Sequence, residues 1–160
     1  MKSDIISSRV YEKAANLNNI LDGIKPNSVI VYTYGVWDLF HPGHIRLLKR
    51  AKNLGDFLIV GTVADSPVKE LKGDLRPVQT QLDRATIIGS LRFVDAVILQ
   101  PQYDPSEIIN DLSRLDILTK GDDWDYIPGT EAIEEKGGKL VLLGYSEGFS
   151  TTDLVNKILK

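Results

Sequence analysis

Apolar positions along the chain repeat with two different periods. Val10, Ala14, Leu17 and Leu21 recur at four- and three-residue steps, and this spacing predicts an amphipathic helix over the first twenty-odd residues, stopped by Asp22-Gly23. Residues 1–27 therefore read as a helical extension appended to a main domain spanning 28–160. From Ser28 the texture changes to short β-branched runs of strand length: VIVYTY, FLIVGTV, VDAVIL, DILTK and KLVLL. Capping signals open helical patterns within the same stretch: Thr80 with Asp83, Asp104 followed by Pro105 and Glu107, and Ser150 with Asp153. Strands alternating with crossover helices predict an α/β fold, a doubly wound, five-stranded parallel sheet covered on both faces. The piece from Ser66 to Pro77, which contains Pro and Gly, reads as a mobile loop.

Composition narrows the functional classes. The 160 residues suit one domain, and every apolar run is far shorter than the ~20 residues that span a bilayer, so no membrane association is expected. The first residues show no apolar signal-peptide core, and the chain has no cysteine, which points to the cytoplasm. With 19 basic and 22 acidic residues the formal charge is −3, which disfavours nucleic acid as a partner and requires any anion site to be local.

In open α/β sheets ligands bind beyond the carboxyl ends of the strands. Three segments fall on that edge: Tyr34 to His44 after the first run, Gly121-Asp122-Asp123-Trp124 after the fourth, and Glu147 to Thr152 after the fifth. Together they hold both histidines and both tryptophans of the chain. Pro42 disfavours helix at His41, and Leu47, Leu48, Ala51 and Leu54 place His44 in the first turn of the next helix, so both rings can face one pocket. Gly43 would let a ligand approach the backbone, and the helix start offers N–H groups to a phosphate. Two plainer readings stand beside this one: a capping histidine with a loop histidine, and a His-x-x-His zinc pair short of the ligands zinc usually takes. Ser150-Thr151-Thr152 is either a phosphate-binding helix start or a simple cap closed by Asp153. Lys72, beside Gly73, is a candidate phosphate-neutralising cation or a solvated surface lysine. Arg84 and Arg92, eight residues apart, lie roughly two helical turns apart and are candidates to share a face. Around Trp124 the choice is between a base- or ribose-reading loop and a turn with a packing tryptophan. Neither a glycine-rich dinucleotide fingerprint nor a Walker loop occurs in the chain.

At GVWDLFHPGH the sequence resembles the HxGH nucleotidyltransferase superfamily, in its cytidylyltransferase-like branch. Further blocks carry the likeness: Leu71-Lys72-Gly73, Leu91 to Asp95, Lys120 to Trp124, and Glu147 to Thr152. The GDDW and EGxSTT blocks look like glycerol-3-phosphate cytidylyltransferases, and STTDLV also like ethanolamine-phosphate cytidylyltransferases. The stretch from LKGDLRPV to PGTEAIEEKGGKLV is similar to heptose-1-phosphate adenylyltransferase domains. Where cytidylyltransferases usually carry Arg-Thr before Glu-Gly, this chain has Tyr145-Ser146.

The resemblance implies a Rossmann-like nucleotidyltransferase fold and a CTP-dependent transfer to a phosphorylated alcohol, polyol or sugar, with release of pyrophosphate. The alternatives are an ATP-dependent adenylyltransferase acting on a heptose-like 1-phosphate, and a nucleotide-sensing domain without turnover. The resemblance further implies catalytic roles for His41, His44, Lys72 and Arg92, with Arg84 in support. A nucleotide site would involve Thr33, Tyr34, Gly35, Val36, Trp37, Asp38 and Gly43, then Gly121, Asp122 and Trp124, and finally Glu147, Gly148, Phe149, Ser150, Thr151 and Thr152. Mg²⁺ is the expected cofactor, held mainly by substrate phosphates rather than by a protein metal site. A homodimer is the expected assembly.

Overall fold

A computed structural model of the chain describes residues 8–144 and 148–160. Six strands form one parallel sheet in the order β1-β4-β3-β2-β5-β6: β1 Val10–Tyr11, β2 Ile30–Gly35, β3 Phe57–Val63, β4 Ala96–Gln100, β5 Ile117–Gly121 and β6 Lys139–Leu143. The helices are α1 Ala14–Leu21, α2 Pro42–Lys52, α3 Asp65–Lys72, α4 Gln81–Gly89, α5 Ser106–Asp111, α6 Thr130–Glu135 and α7 Thr151–Ile158.

Period-two side-chain alternation on β2 explains why the sheet is covered twice. Ile30, Tyr32 and Tyr34 face a core shared with α1, α5 and α6, whereas Val31 joins Trp37, Leu48, Ala51, Ala85 and Ile88 on the face of α2 and α4. From β2 the chain winds outward through β3 and β4, then returns to place β5 on the other side of β2, with Val31 opposite both Leu58 and Ile117. The reversal of strand order therefore lies at the carboxyl end of β2, where crevices form in doubly wound sheets.

The sixth strand was not expected. Val10 and Tyr11 leave the helical repeat and pair with Val97 and Ile98 of β4, and Arg9 accepts the Val97 N–H at 2.8 Å. Their β-branched and aromatic side chains suit an edge strand. Ala14, Leu17 and Leu21 do form a helix, but its stripe is buried in the larger core rather than held apart as an appendage. The expected helix over 1–7 lies outside the described residues.

The segment expected to be a loop from Ser66 to Pro77 instead begins with helix α3. Pro67 sits in its first turn, where the missing N–H costs nothing, and Val68 is fully buried. Gly73, at φ 90°, ends the helix, leaving an irregular stretch from there to Thr80. Thr80 and Ser150 cap as expected, accepting from the Asp83 and Asp153 N–H groups at 3.2 and 3.0 Å.

Candidate active site

At the carboxyl end of β2 the chain makes a turn that holds two non-glycine residues at positive φ, Trp37 at 60° and Leu39 at 46°. Such conformations cost roughly 1–3 kcal/mol each and persist only where the surroundings over-determine them. The surroundings here do so. The Trp37 indole donates to Gly61 O at 2.9 Å, and the Leu39 N–H donates to Gln79 Oε1 at 3.1 Å. The buried Asp38 carboxylate accepts from Val78 N at 2.8 Å, Gln79 N at 3.0 Å and Arg76 Nε at 3.3 Å. The Asp38 carbonyl accepts from Thr151 Oγ1 at 2.9 Å, tying the start of α7 to this turn. Beneath it, Arg84 donates to the carbonyls of Val36, Gln79 and Val63 and pairs with Asp65.

The turn delivers the two histidines. His41 caps α2, its Nδ1 accepting from Gly43 N at 3.1 Å, and the Nδ1 of His44 accepts from His41 N at 3.3 Å. The rings stack with centroids 3.7 Å apart, bracketed by Phe40 and Trp37 against His44 and by Phe149 against His41. The capping reading and the functional reading are thus one arrangement. A neutral imidazole that accepts at Nδ1 carries its proton on Nε2, so each ring keeps one donor for a ligand. Burial, then the neighbouring His41 ring, pushes His44 down to about 3, and burial lowers His41 as well. At pH 7 both are neutral donors. The stack also requires glycine at position 43, which lines the cleft: a Cβ there would lie 2.9 Å from the His41 ring and 3.0 Å from Phe149 Cβ.

The histidines line a cleft of about 310 Å³ formed by the ends of β2 and β5, the first turn of α2 and the start of α7. Of the residues proposed from sequence, the cleft gathers Tyr34, Gly35, Val36, Trp37, Asp38, His41, Gly43, His44, Lys72, Gly121, Trp124, Phe149, Ser150, Thr151 and Thr152. The three loops expected to converge do converge.

Several assignments change. Asp38 lines the cleft, but three donors occupy its carboxylate, so it anchors the turn rather than binding nucleotide. Arg84 is fully buried with its guanidinium consumed by backbone and Asp65, so it supports the site from below and meets no phosphate. Arg92 is exposed on the turn after α4, which ends at Gly89, so it neither shares a helix face with Arg84 nor reaches the cleft. Thr33 is buried within the sheet and lies outside the lining, as do Asp122 and Gly148. Glu147, with Tyr145 and Ser146, lies outside the described residues.

The cleft also contains Asp123, from the loop singled out around Trp124, and three groups to which the sequence assigned no role of their own: Arg76, Tyr103 and Lys120. Lys120 Nζ donates to Tyr34 O at 2.8 Å and sits 4.2 Å over the Tyr34 ring. Burial, and to a lesser extent Lys72, lowers its pKa to about 8 against the opposing pull of Asp123. Desolvation at the cleft wall and the Arg76 guanidinium lower Lys72 too. A chain of net charge −3 thus gathers three cations and two imidazole donors in one cleft, an arrangement that attracts anions.

A family model described as cytidylyltransferase-like matches residues 32–157, which contain every residue that lines this cleft. The chain belongs to the cytidylyltransferase-like family. Among curated relatives of this family member, the bifunctional protein HldE of Gluconobacter oxydans (strain 621H) is 46% identical over 79% of this chain and 26% of its own length. HldE of Campylobacter fetus subsp. fetus (strain 82-40) is 40% identical over 91% of this chain and 31% of its own. The chain spans between about a quarter and a third of the length of these relatives. Among solved structures, the lipopolysaccharide core biosynthesis protein from Thermoplasma volcanium GSS1 superposes with a TM-score of 0.62 at 29% identity, covering 77% of this chain and all of that one. Pantoate-beta-alanine ligase from Francisella tularensis, 16% identical with a TM-score of 0.62 over 93% of this chain and 77% of its own, shares the fold. The family match supports a nucleotidyltransferase.

Proposed function

We propose that this nucleotidyltransferase is an ATP-dependent adenylyltransferase that transfers the nucleotidyl group of ATP to the phosphate of a sugar 1-phosphate of the heptose type and releases pyrophosphate. The relatives favour this reading over transfer from CTP, because they are bifunctional HldE proteins of which the chain matches one part. The LKGDLRPV to PGTEAIEEKGGKLV stretch, which resembles heptose-1-phosphate adenylyltransferase domains, supports it from within the chain.

The observation that carries the chemistry is the stacked pair of neutral imidazoles, each with Nδ1 occupied by backbone and Nε2–H left to donate. An oxygen of the acceptor phosphate attacks the α-phosphorus, a new P–O bond forms, and the bond from the α-phosphorus to the bridging oxygen breaks with pyrophosphate departing. No side chain becomes covalently attached. The Nε2–H groups of His41 and His44 donate to phosphate oxygens as charge accumulates there, and this fixed donation requires little reorganisation. Lys72 and Arg76 offset repulsion between two anions brought together, and the hydroxyls of Ser150 and Thr152 at the start of α7 hold the distal phosphates. Thr151 Oγ1 is already spent on Asp38 O and contributes by fixing that helix start. Mg²⁺ fits as an ion brought in by the triphosphate, since Asp123 is the lining carboxylate with oxygens not committed to the turn. When bound, it would neutralise charge on the phosphates. A homodimer is part of this proposal, on the resemblance alone.

The test is pyrophosphate release from the purified chain with ATP and CTP, each against sugar 1-phosphates, glycerol 3-phosphate and ethanolamine phosphate. ATP with a sugar 1-phosphate should turn over fastest. Preference for CTP with glycerol 3-phosphate would overturn the choice of base and acceptor, and nucleotide binding without pyrophosphate from any pair would leave a sensor.

A further inference from the structure

The two faces of the sheet give the cleft two chemically distinct walls. One wall, on the face of Trp37 and α2, carries the imidazoles and the start of α7. The other continues the face to which Tyr34 belongs and presents Tyr34, Tyr103, Lys120 and Trp124. Placing the polyphosphate along the first wall leaves the second, with Tyr34 and Trp124 that the resemblance gave to the nucleotide, to the acceptor.

That second wall is built around Lys120. Its stem follows the buried Thr119 at the end of β5, and its ammonium is fixed from three sides: by Tyr34 O at 2.8 Å, by the Tyr34 ring at 4.2 Å and by the Trp124 ring at 5.3 Å. Among the described residues it makes no ion pair; the charged groups acting on it are Asp123 and Lys72. One backbone carbonyl occupies one of the three N–H donors of an ammonium, leaving two for a ligand. Nearby, the Tyr103 hydroxyl is buried without a hydrogen-bond partner among the described residues, so a ligand oxygen there would relieve an unsatisfied polar group.

We propose that Lys120 is the residue that selects the acceptor: its ammonium donates to oxygens of a sugar or polyol phosphate and turns away acceptors that carry their own ammonium group. The inference rests on the nucleotidyltransferase reading and adds the residue that selects the second substrate. A fixed cation at hydrogen-bonding distance is attractive to phosphate and hydroxyl oxygens and repulsive to an amino-alcohol head group. The Tyr34 and Trp124 rings flank the ammonium and hold it where both effects act.

The experiment compares wild type, Lys120→Met and Lys120→Arg. Mannose 1-phosphate and ethanolamine phosphate serve as acceptors in pyrophosphate release with ATP, and binding of mannose 1-phosphate and of ATP to each protein is followed separately by calorimetry. Losing a charge-assisted hydrogen bond should raise the KM and Kd for mannose 1-phosphate about ten- to a hundred-fold in Lys120→Met. ATP binding should stay within about twofold, and Lys120→Arg should recover part of the loss. The ratio of turnover with mannose 1-phosphate to turnover with ethanolamine phosphate should fall at least about tenfold in Lys120→Met. An ATP Kd that shifts as much as the acceptor's would move Lys120 to the nucleotide side and overturn the proposal, as would an equal loss with both acceptors. Absence of pyrophosphate release in wild type would instead count against the nucleotidyltransferase reading, and the calorimetry of mannose 1-phosphate would still judge Lys120. Far-ultraviolet dichroism and Tm establish that each variant is folded.

Discussion

Arg84 offers the sharpest test of how the catalytic turn is held. Its side chain has no exposed surface and meets four acceptors: the carbonyls of Val36, Gln79 and Val63, and Asp65 Oδ1 at 2.6 Å. Arg84→Met keeps the aliphatic stem and removes every one of these donors. The partly exposed Asp65 can rehydrate, but the carbonyls on the floor of the turn lose a donor at about 1–3 kcal/mol for each one left buried. Breaking one partner of a buried ionic network typically costs about 3–5 kcal/mol, which we take as the expected loss. For a domain of this size each kcal/mol lowers Tm by roughly 2–4 °C, so Tm should fall by roughly 6–20 °C. Differential scanning calorimetry and urea titration should agree, with a lower midpoint and an unchanged m-value. Well below the new Tm, turnover should fall further than ATP binding, because a loosened Val36 carbonyl lets the strained residues after it relax. A Tm within 2 °C of wild type would refute the reasoning and show that the network contributes little to the fold.

Other predictions follow from the same geometry. His44→Ala should lower turnover by roughly two to four orders of magnitude while ATP still binds, as seen by paired steady-state and calorimetric measurements; near-normal turnover would remove the imidazoles from the mechanism. Lys72→Ala should reduce turnover about tenfold or more with Tm little changed, since its side chain reaches the cleft wall but the residue as a whole is exposed. Gly43→Ala should cut turnover by up to about a hundredfold, because its Cβ must push aside the His41 ring or Phe149 and small misplacements at the reacting centre are costly. The His44 pKa is about 3 in the fold, below its ordinary 6.5, so the unfolded chain takes up a proton that the folded one refuses. Stability attributable to His44 is therefore complete above pH 6.5 and is lost as pH falls toward 3, and Tm should drop less steeply on acidification in His44→Asn than in wild type; equal slopes would contradict the shift.

Much of the fold was legible because hydrophobic runs of strand length are hard to mistake when capped helical patterns punctuate them. Ile30 to Tyr34 and Leu58 to Val63 are almost wholly buried, as strands covered on both faces must be. The edge strand at Val10–Tyr11 was not legible: two residues carry no periodicity of their own, and Val10 happens to fit the repeat of the helix that follows. Helix α3 was hidden by Pro67 and Gly73, whose usual role as breakers does not hold in a first turn or at a C-cap. Within the site, His41, His44 and the start of α7 were readable because unusual residue types cluster on one sheet edge. What sequence could not separate was binding from bracing. Asp38 and Arg84 look like ligand contacts when read as charges, yet both face inward to satisfy backbone groups, most of them across 21 to 48 residues of chain. The signal for Lys120 was present in its place one residue before the end of β5, ahead of Gly121, but a single lysine near a strand end is indistinguishable from a solvated one until the Tyr34 carbonyl is seen beneath it.

The central claim is that the paired imidazoles serve transfer at the α-phosphorus. It is tested most directly by incubating the protein with a sugar 1-phosphate and ATP labelled separately at the α- and γ-phosphates, alongside His44→Ala. The α-label should appear in the sugar nucleotide and the γ-label wholly in pyrophosphate, with both products lost in the variant. Transfer of the γ-label to the sugar, or α-label transfer undiminished in His44→Ala, would contradict it.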